Sequence, residues 1–243
     1  MTQEVFFDKA LDAVHPEFRY TLEVCSASLR SVLHAVAGGA ERIELCSALS
    51  VGGLTPSIGL LRVVRELYPQ LRIHVLIRPR EGDFVYCEEE LHVMERDIEA
   101  ALPYADAIVS GAMTAAGDVD RVATRRLLEA AQGVPFTFHR AFDVSRAPLE
   151  ALETLQELGC TRILTSGTKA TAEEGIPLIR QLVDRADGTI TILPGGGVTS
   201  ENIKKIVTET GAREIHGSAS LRLPDGTQET STAMVQSFLR ALL

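Results

Sequence analysis

Two cysteines each stand two residues after a glutamate, in Leu22-Glu23-Val24-Cys25 and in Ile43-Glu44-Leu45-Cys46. Side chains two apart share one face of a strand, so each run offers a carboxylate and a thiol on the same side. Adjacent parallel strands lie ~4.8 Å apart, which lets Cys25 and Cys46 meet if their strands are neighbours. Two thiolates suit a soft ion such as Cu(I). Free cysteine is also a common buried small hydrophobe, so the same pair reads as core. The four clustered ligands of a zinc site are not evident, and Cys87 and Cys160 stand apart.

A second set carries acid–base and anion chemistry. Glu44, His139 and Asp143 are the candidate acid–base groups, histidine being suited to proton transfer near neutral pH. Arg78 and Arg140 are candidate anion grips, since a guanidinium forks onto carboxylate or phosphate. Ser166, Gly196, Gly197 and Ser218 join them as anion-binding candidates. Backbone N–H groups in Gly195-Gly196-Gly197-Val198-Thr199-Ser200 could cradle a phosphate at the start of a helix. A tight turn that needs small residues accounts for the same glycines. Lys169 lies four residues beyond Thr165 in an expected exposed loop, a poor place for a Schiff base. Gly-x-Ser-x-Gly, Walker A and His-Glu-x-x-His motifs are absent from the sequence.

The elements that must position these groups repeat one phrase. Eight apolar or β-branched runs read as strands: Tyr20–Cys25, Arg42–Cys46, Arg72–Arg78, Asp106–Ser110, Pro135–Arg140, Thr161–Thr165, Thr189–Leu193 and Glu214–Gly217. Helical stretches lie between them, such as Leu29–Ala37 and Ile58–Tyr68, where Leu60, Leu61, Val64 and Leu67 form a stripe. Thr55-Pro56-Ser57 signals one helix start, Thr199-Ser200-Glu201-Asn202 another, and Gly159 a helix end. Arg222–Glu229 reads as irregular, and Ser231–Leu242 as the last helix. Eight strand–helix units predict an α/β fold, a (β/α)8 TIM barrel over residues 20–243, with residues 1–19 as a short N-terminal extension. Ligands of such barrels bind where strands end, which is where the chemistry-bearing residues fall. The polar strand residues Glu23, Glu44, His74, Thr137, His139, Glu214 and His216 share the parity that faces the barrel interior. Buried there, they need one another, a metal or a ligand.

The chain has 243 residues, 45% apolar and 23% charged, values that suit a globular fold and exclude disorder. A net charge of −9 argues against nucleic acid or an anionic membrane as bulk partner. No apolar run approaches the ~18 residues of a membrane span, and residues 1–19 lack the basic start and apolar run of a signal peptide. Cytoplasmic location is the expectation, with reduced thiols.

Taken together, the phrases resemble the CutC family. They are Leu22–Cys25, Gly39–Cys46, Gly52-Gly53-Leu54-Thr55-Pro56-Ser57, Ile77-Arg78-Pro79-Arg80-Glu81-Gly82-Asp83-Phe84, Thr137–Asp143, Leu164-Thr165-Ser166-Gly167 and Gly195–Val198, in order from about residue 20 to 220. The resemblance implies a (β/α)8 barrel in the cytoplasm that self-associates as a homodimer or larger homo-oligomer. It also implies a part in copper homeostasis, with Cys25 and Cys46 as the Cu(I) ligands. Two functional readings stand side by side. One is a Cu(I)-binding protein, with Glu23 and Glu44 supporting the thiols. The other is a TIM-barrel enzyme, an isomerase, lyase or hydrolase, acting on a small anionic metabolite, phosphorylated or not, with a divalent metal held by carboxylates as an option.

Overall fold

A computed structural model describes residues 20–223 and 226–243. The reading of residues 1–19 as an extension falls outside the described residues. Eight parallel strands form one sheet: β1 (Thr21–Ser26), β2 (Arg42–Leu45), β3 (Arg72–Leu76), β4 (Ala107–Ser110), β5 (Phe136–Phe138), β6 (Arg162–Thr165), β7 (Thr191–Pro194) and β8 (Glu214–Gly217). Their order is β7-β6-β5-β4-β3-β2-β1-β8, and β7 packs beside β8, so the sheet curls into a nearly closed barrel. The helices are α1 (Leu29–Ala37), α2 (Ile58–Leu67), α3 (Glu88–Ala101), α4 (Arg121–Ala130), α5 (Pro148–Leu158), α6 (Ile176–Ala186), α7 (Ile203–Thr210) and α8 (Thr232–Leu242). Each follows its strand and covers the barrel, as the alternating pattern requires.

Strand parity divides the core. Leu22, Val24, Ile43, Leu45, Ile73, Val75, Ile108, Phe136, Phe138, Ile163, Ile192 and Ile215 are buried in the large apolar cluster shared with the helices. The opposite parity holds Cys25, Cys46, Leu76 and Val109 in a second small cluster. It also holds the buried polar residues Glu23, Arg42, Glu44, His74, Thr137 and His216. Most barrel interiors are filled with branched apolar side chains, so this polar interior demands an account of its own.

Local signals at helix ends explain several boundaries. Ser57 Oγ accepts from the Leu60 N–H at 3.1 Å and caps α2, as the Thr-Pro-Ser phrase predicts. Gly159 closes α5 in the left-handed region, φ 89°. The start of α7 differs from expectation. Thr199 and Ser200 lie in a turn before it, and the helix begins only at Ile203. Asn202 Oδ1 instead accepts from the Thr199 N–H at 2.8 Å, which holds that turn. The segment read as irregular contains a short antiparallel hairpin, β9 (Ser220–Arg222) with β10 (Gln228–Thr230). Its Thr230 Oγ1 reaches the Cys25 carbonyl at 3.4 Å, so the hairpin lies against the end of β1.

One glycine sets the β6 loop. A Cβ on Gly175 would stand 1.8 Å from the Ser166 carbonyl oxygen. Backbone cannot yield as a flexible side chain does, so Gly175→Ala is expected to destabilise the fold by about 3 kcal/mol or more. Urea unfolding measures it.

Candidate functional site

The polar interior is a connected network centred on Glu23. Glu23 pairs with Arg42 across β1 and β2 and with His216 across β1 and β8. Its Oε1 lies 2.9 Å from His216 Nδ1 in a hydrogen bond. Its Oε2 lies 3.0 Å from Arg42 Nε and 2.7 Å from His74 Nδ1. These two are ion-pair contacts whose angles miss hydrogen-bond alignment. Arg42 Nη2 donates to Glu214 Oε2 at 2.6 Å, and Arg162 Nε donates to the same oxygen at 2.8 Å. Burial opposes the Glu23 charge, yet His74, His216 and Arg42 together hold its carboxyl well below the usual range. Glu214 is likewise lowered: burial opposes its charge, and Arg162 and Arg42 outweigh burial.

Above Glu23, toward the strand ends, the network turns to thiols. His216 Nε2 is 4.0 Å from Glu44 Oε2. Burial alone would lower the His216 pKa, but the carboxylates of Glu44 and Glu23 raise it instead. Glu44 shifts upward, because burial and the Glu23 charge outweigh its partners. Cys25 Sγ donates to Glu44 Oε2 at 3.4 Å and sits 3.7 Å from Cys46 Sγ. The bond to Cys46, burial and the Glu44 charge hold the Cys25 thiol well above its usual pKa. Two sets of potential ligand atoms lie close together here, Cys25–Glu44–Cys46 and Glu23–Glu44–His216. Thiolate is the reactive form, so buried protonated thiols are slow to alkylate. Iodoacetamide at pH 7 is therefore expected to modify the exposed Cys87 first and to spare Cys25, Cys46 and Cys160 until the fold opens. Peptide mass spectrometry reads the order.

A cavity of about 620 Å³ opens over this network. Cys25, Glu44 and His216 line it, with Arg78, Phe84 and His139 on one side and Arg140, Asp143, Gly196, Gly197 and Ser218 on another. The candidates from the sequence thus come to one place, save that Cys46 and Ser166 do not line the cavity. Exposed Lys169 does not line it either.

Their engagements differ. Arg78 is 5% exposed, and its guanidinium donates to three carbonyls: Val51 at 2.9 Å, Gly53 at 3.1 Å and Gly82 at 3.0 Å. It holds two loops and has no carboxylate within ion-pair distance among the described residues. Asp143 accepts from Thr165 Oγ1 at 2.5 Å, from the Ser166 N–H at 3.0 Å and from Arg140 Nε at 2.8 Å. Arg140 Nη2 also donates to Ser166 Oγ at 2.9 Å. These three residues therefore bind one another and brace β5 against β6. Ser218 Oγ shares a 2.9 Å hydrogen bond with Ser220 Oγ. Gly196 and Gly197 take positive φ, 104° and 66°, in a turn packed on Arg140 and Thr171, so turn geometry already requires them. His139 Nδ1 accepts from the Ala141 N–H at 3.2 Å. Burial and the Arg78 charge push its pKa down to about 3, so the ring is neutral at pH 7 and carries its hydrogen on Nε2.

Strand parity already placed Arg42 beside Glu44 and Cys46, and Arg162 on the inner face with Leu164, yet sequence reasoning passed over both arginines. Arg42 meets Glu23 across β1 and β2, but the meeting of both arginines at Glu214 depends on β8 closing against β1, which no local signal reports.

The architecture and site define a class first: a (β/α)8 barrel with a dithiol, two carboxylates and histidines packed at its mouth. The chain belongs to the CutC family, whose family model matches residues 20–221. A CutC family protein of Bacteroides thetaiotaomicron is 50% identical over 202 residues, 83% of this chain and 81% of its own. The copper homeostasis protein cutC homolog of Homo sapiens is 48% identical over 201 residues, 82% of this chain and 73% of its own. A crystal structure of CutC from Streptococcus agalactiae superposes with a TM-score of 0.79 at 38% identity, covering 82% of this chain and 98% of that one. No helix among the described residues is long and apolar enough to cross a membrane.

Proposed function

We propose that this chain serves copper homeostasis by binding Cu(I) through Cys25 and Cys46 at the C-terminal end of the barrel. The observation that carries the reading is the pair of buried sulfurs 3.7 Å apart, of which Cys25 lines the cavity. Soft thiolates select Cu(I) over harder ions. Metal–sulfur bonds of about 2.3 Å put the sulfurs of a linear pair about 4.6 Å apart. The thiols therefore part by roughly 1 Å to take an ion between them. Glu44 Oε2 accepts the Cys25 S–H and is the nearest base for the proton that leaves on binding. Glu23, His216 and Arg42 hold Glu44 and the thiols in place from below. The dithiol needs a reducing setting, so the cytoplasm is the proposed location. Self-association as a homodimer or larger homo-oligomer belongs to the same reading, and sedimentation measures it.

Anaerobic Cu(I) competition against a chromophoric chelator tests the proposal. The reduced wild type is expected to bind one ion per chain. The Cys25→Ser/Cys46→Ser protein is expected to lose at least about a hundredfold in affinity, removal of both soft ligands costing more than loss of a supporting group does. Equal affinity in the two proteins would overturn the reading. An enzyme acting on a small anionic metabolite is the second reading, and Arg78 and His139 favour it as far as ligand binding.

A further inference from the structure

Two hydrogen-bond donors on the cavity wall lack partners. His139 Nε2 and Arg78 Nε are both buried, and neither finds a hydrogen-bond acceptor among the described residues. Both residues are 5% exposed and both line the cavity. Leaving buried donors unmade is costly, so their retention points to an acceptor supplied from outside the chain. Phe84 joins the two residues. Its ring lies 5.0 Å from the His139 ring centroid, and Arg78 Cζ lies 5.0 Å over its centroid.

The chemistry of the wall narrows the ligand. Arg78 carries a positive charge met by carbonyl oxygens, the Phe84 ring and the Tyr86 hydroxyl, with no carboxylate within ion-pair distance among the described residues. His139 offers one neutral N–H, since its other nitrogen accepts from Ala141. Leu49, Val51, Leu76, Phe84 and Leu164 supply an apolar surround. Glu44 and Asp143 line the same cavity and disfavour a doubly charged phosphate. A single negative charge on a small carbon body fits these walls.

We propose that Arg78, Phe84 and His139 form a binding site for a small organic carboxylate that carries a second oxygen acceptor. The carboxylate lies beside the Arg78 guanidinium, and a carbonyl oxygen accepts from His139 Nε2–H, over the Phe84 ring. The site lies on the wall of the same cavity that Cys25 lines. Arg78 donates to the Gly53 carbonyl, and Gly53 itself packs on Cys46, so one loop stands between them. The inference goes beyond copper binding and does not depend on it.

Pyruvate is the probe, as the smallest compound with both groups, titrated calorimetrically into reduced, metal-free protein. Saturable one-to-one binding with a dissociation constant below about 1 mM is expected. Methyl pyruvate keeps the carbonyl and loses the charge, and is expected to bind at least about tenfold more weakly. His139→Phe removes the donor and is expected to lose about tenfold, whereas His139→Gln, which keeps an N–H, recovers part of that loss. The titration uses metal-free protein and no Cu(I), so its outcome is read independently of the copper experiment. Absence of saturable binding would overturn the proposal. So would equal binding of the ester, equal binding by His139→Phe, or binding of inorganic phosphate in place of pyruvate. The ester arm needs no variant and holds even where a substitution at His139 fails to fold.

Discussion

Replacement of Glu23 by alanine is expected to destabilise the fold by about 3–5 kcal/mol, the cost of removing one partner from a buried ion network. Glu23 is fully buried and faces Arg42, His74 and His216 at once. Without it, Arg42 keeps only Glu214, and the two imidazoles lose their shared anion. An exposed pair provides the contrast. Glu157, whose carboxylate meets Arg121 at 2.8 Å in solvent, is expected to cost less than about 1 kcal/mol as alanine. Urea unfolding at pH 7 compares the two, and equal small losses would contradict a structural role for the network. The pH dependence has a definite sign on each side. The Glu23 pKa is held below its unfolded value near 4.5, so its contribution is present above that value and is lost as pH falls through the lowered one. His216 is raised above 6.5, so its contribution is full below 6.5 and is lost as pH rises through the raised value. The network is expected to be strongest between the two.

Cu(I) affinity is expected to rise by about tenfold per pH unit between pH 6 and 8, the factor that accompanies release of the Cys25 thiol proton. The Cys25 thiol is held above its usual pKa by its bond to Cys46, by burial and by Glu44, so it remains protonated throughout that window. Binding must therefore expel its proton. Over two pH units the apparent constant is expected to change by about two orders of magnitude. Chelator competition at several pH values measures the slope. An affinity independent of pH would mean that the ion is held by groups already deprotonated, such as the carboxylates.

The barrel was legible because each strand announces itself by short apolar runs of period two. Parity also placed Glu23 with Cys25 and Glu44 with Cys46 on one face, and the inner positions of both pairs are buried. Other features were illegible for physical reasons. Arg78 reads as an anion grip from its type, yet three loop carbonyls hold it, and loop carbonyls have no sequence signature. Asp143 reads as an acid–base group, yet Thr165 and Ser166 at the end of β6 and Arg140 in its own turn converge on it. His139 reads as an acid–base group, but burial beside Arg78 makes it a neutral donor at pH 7. The hairpin β9–β10 has strands of three residues, too short for alternation to show. Where a property depended on one strand or on strands consecutive in the chain, it could be read; where it depended on loops or on distant elements meeting, it could not.

X-ray absorption at the copper edge of the Cu(I)-loaded protein tests the central claim most directly. The expected first shell is sulfur from two cysteines, replaced by lighter scatterers when Cys25 and Cys46 become serine. A wild-type shell of nitrogen and oxygen alone would contradict the account and would move the ion to Glu23, Glu44 and His216.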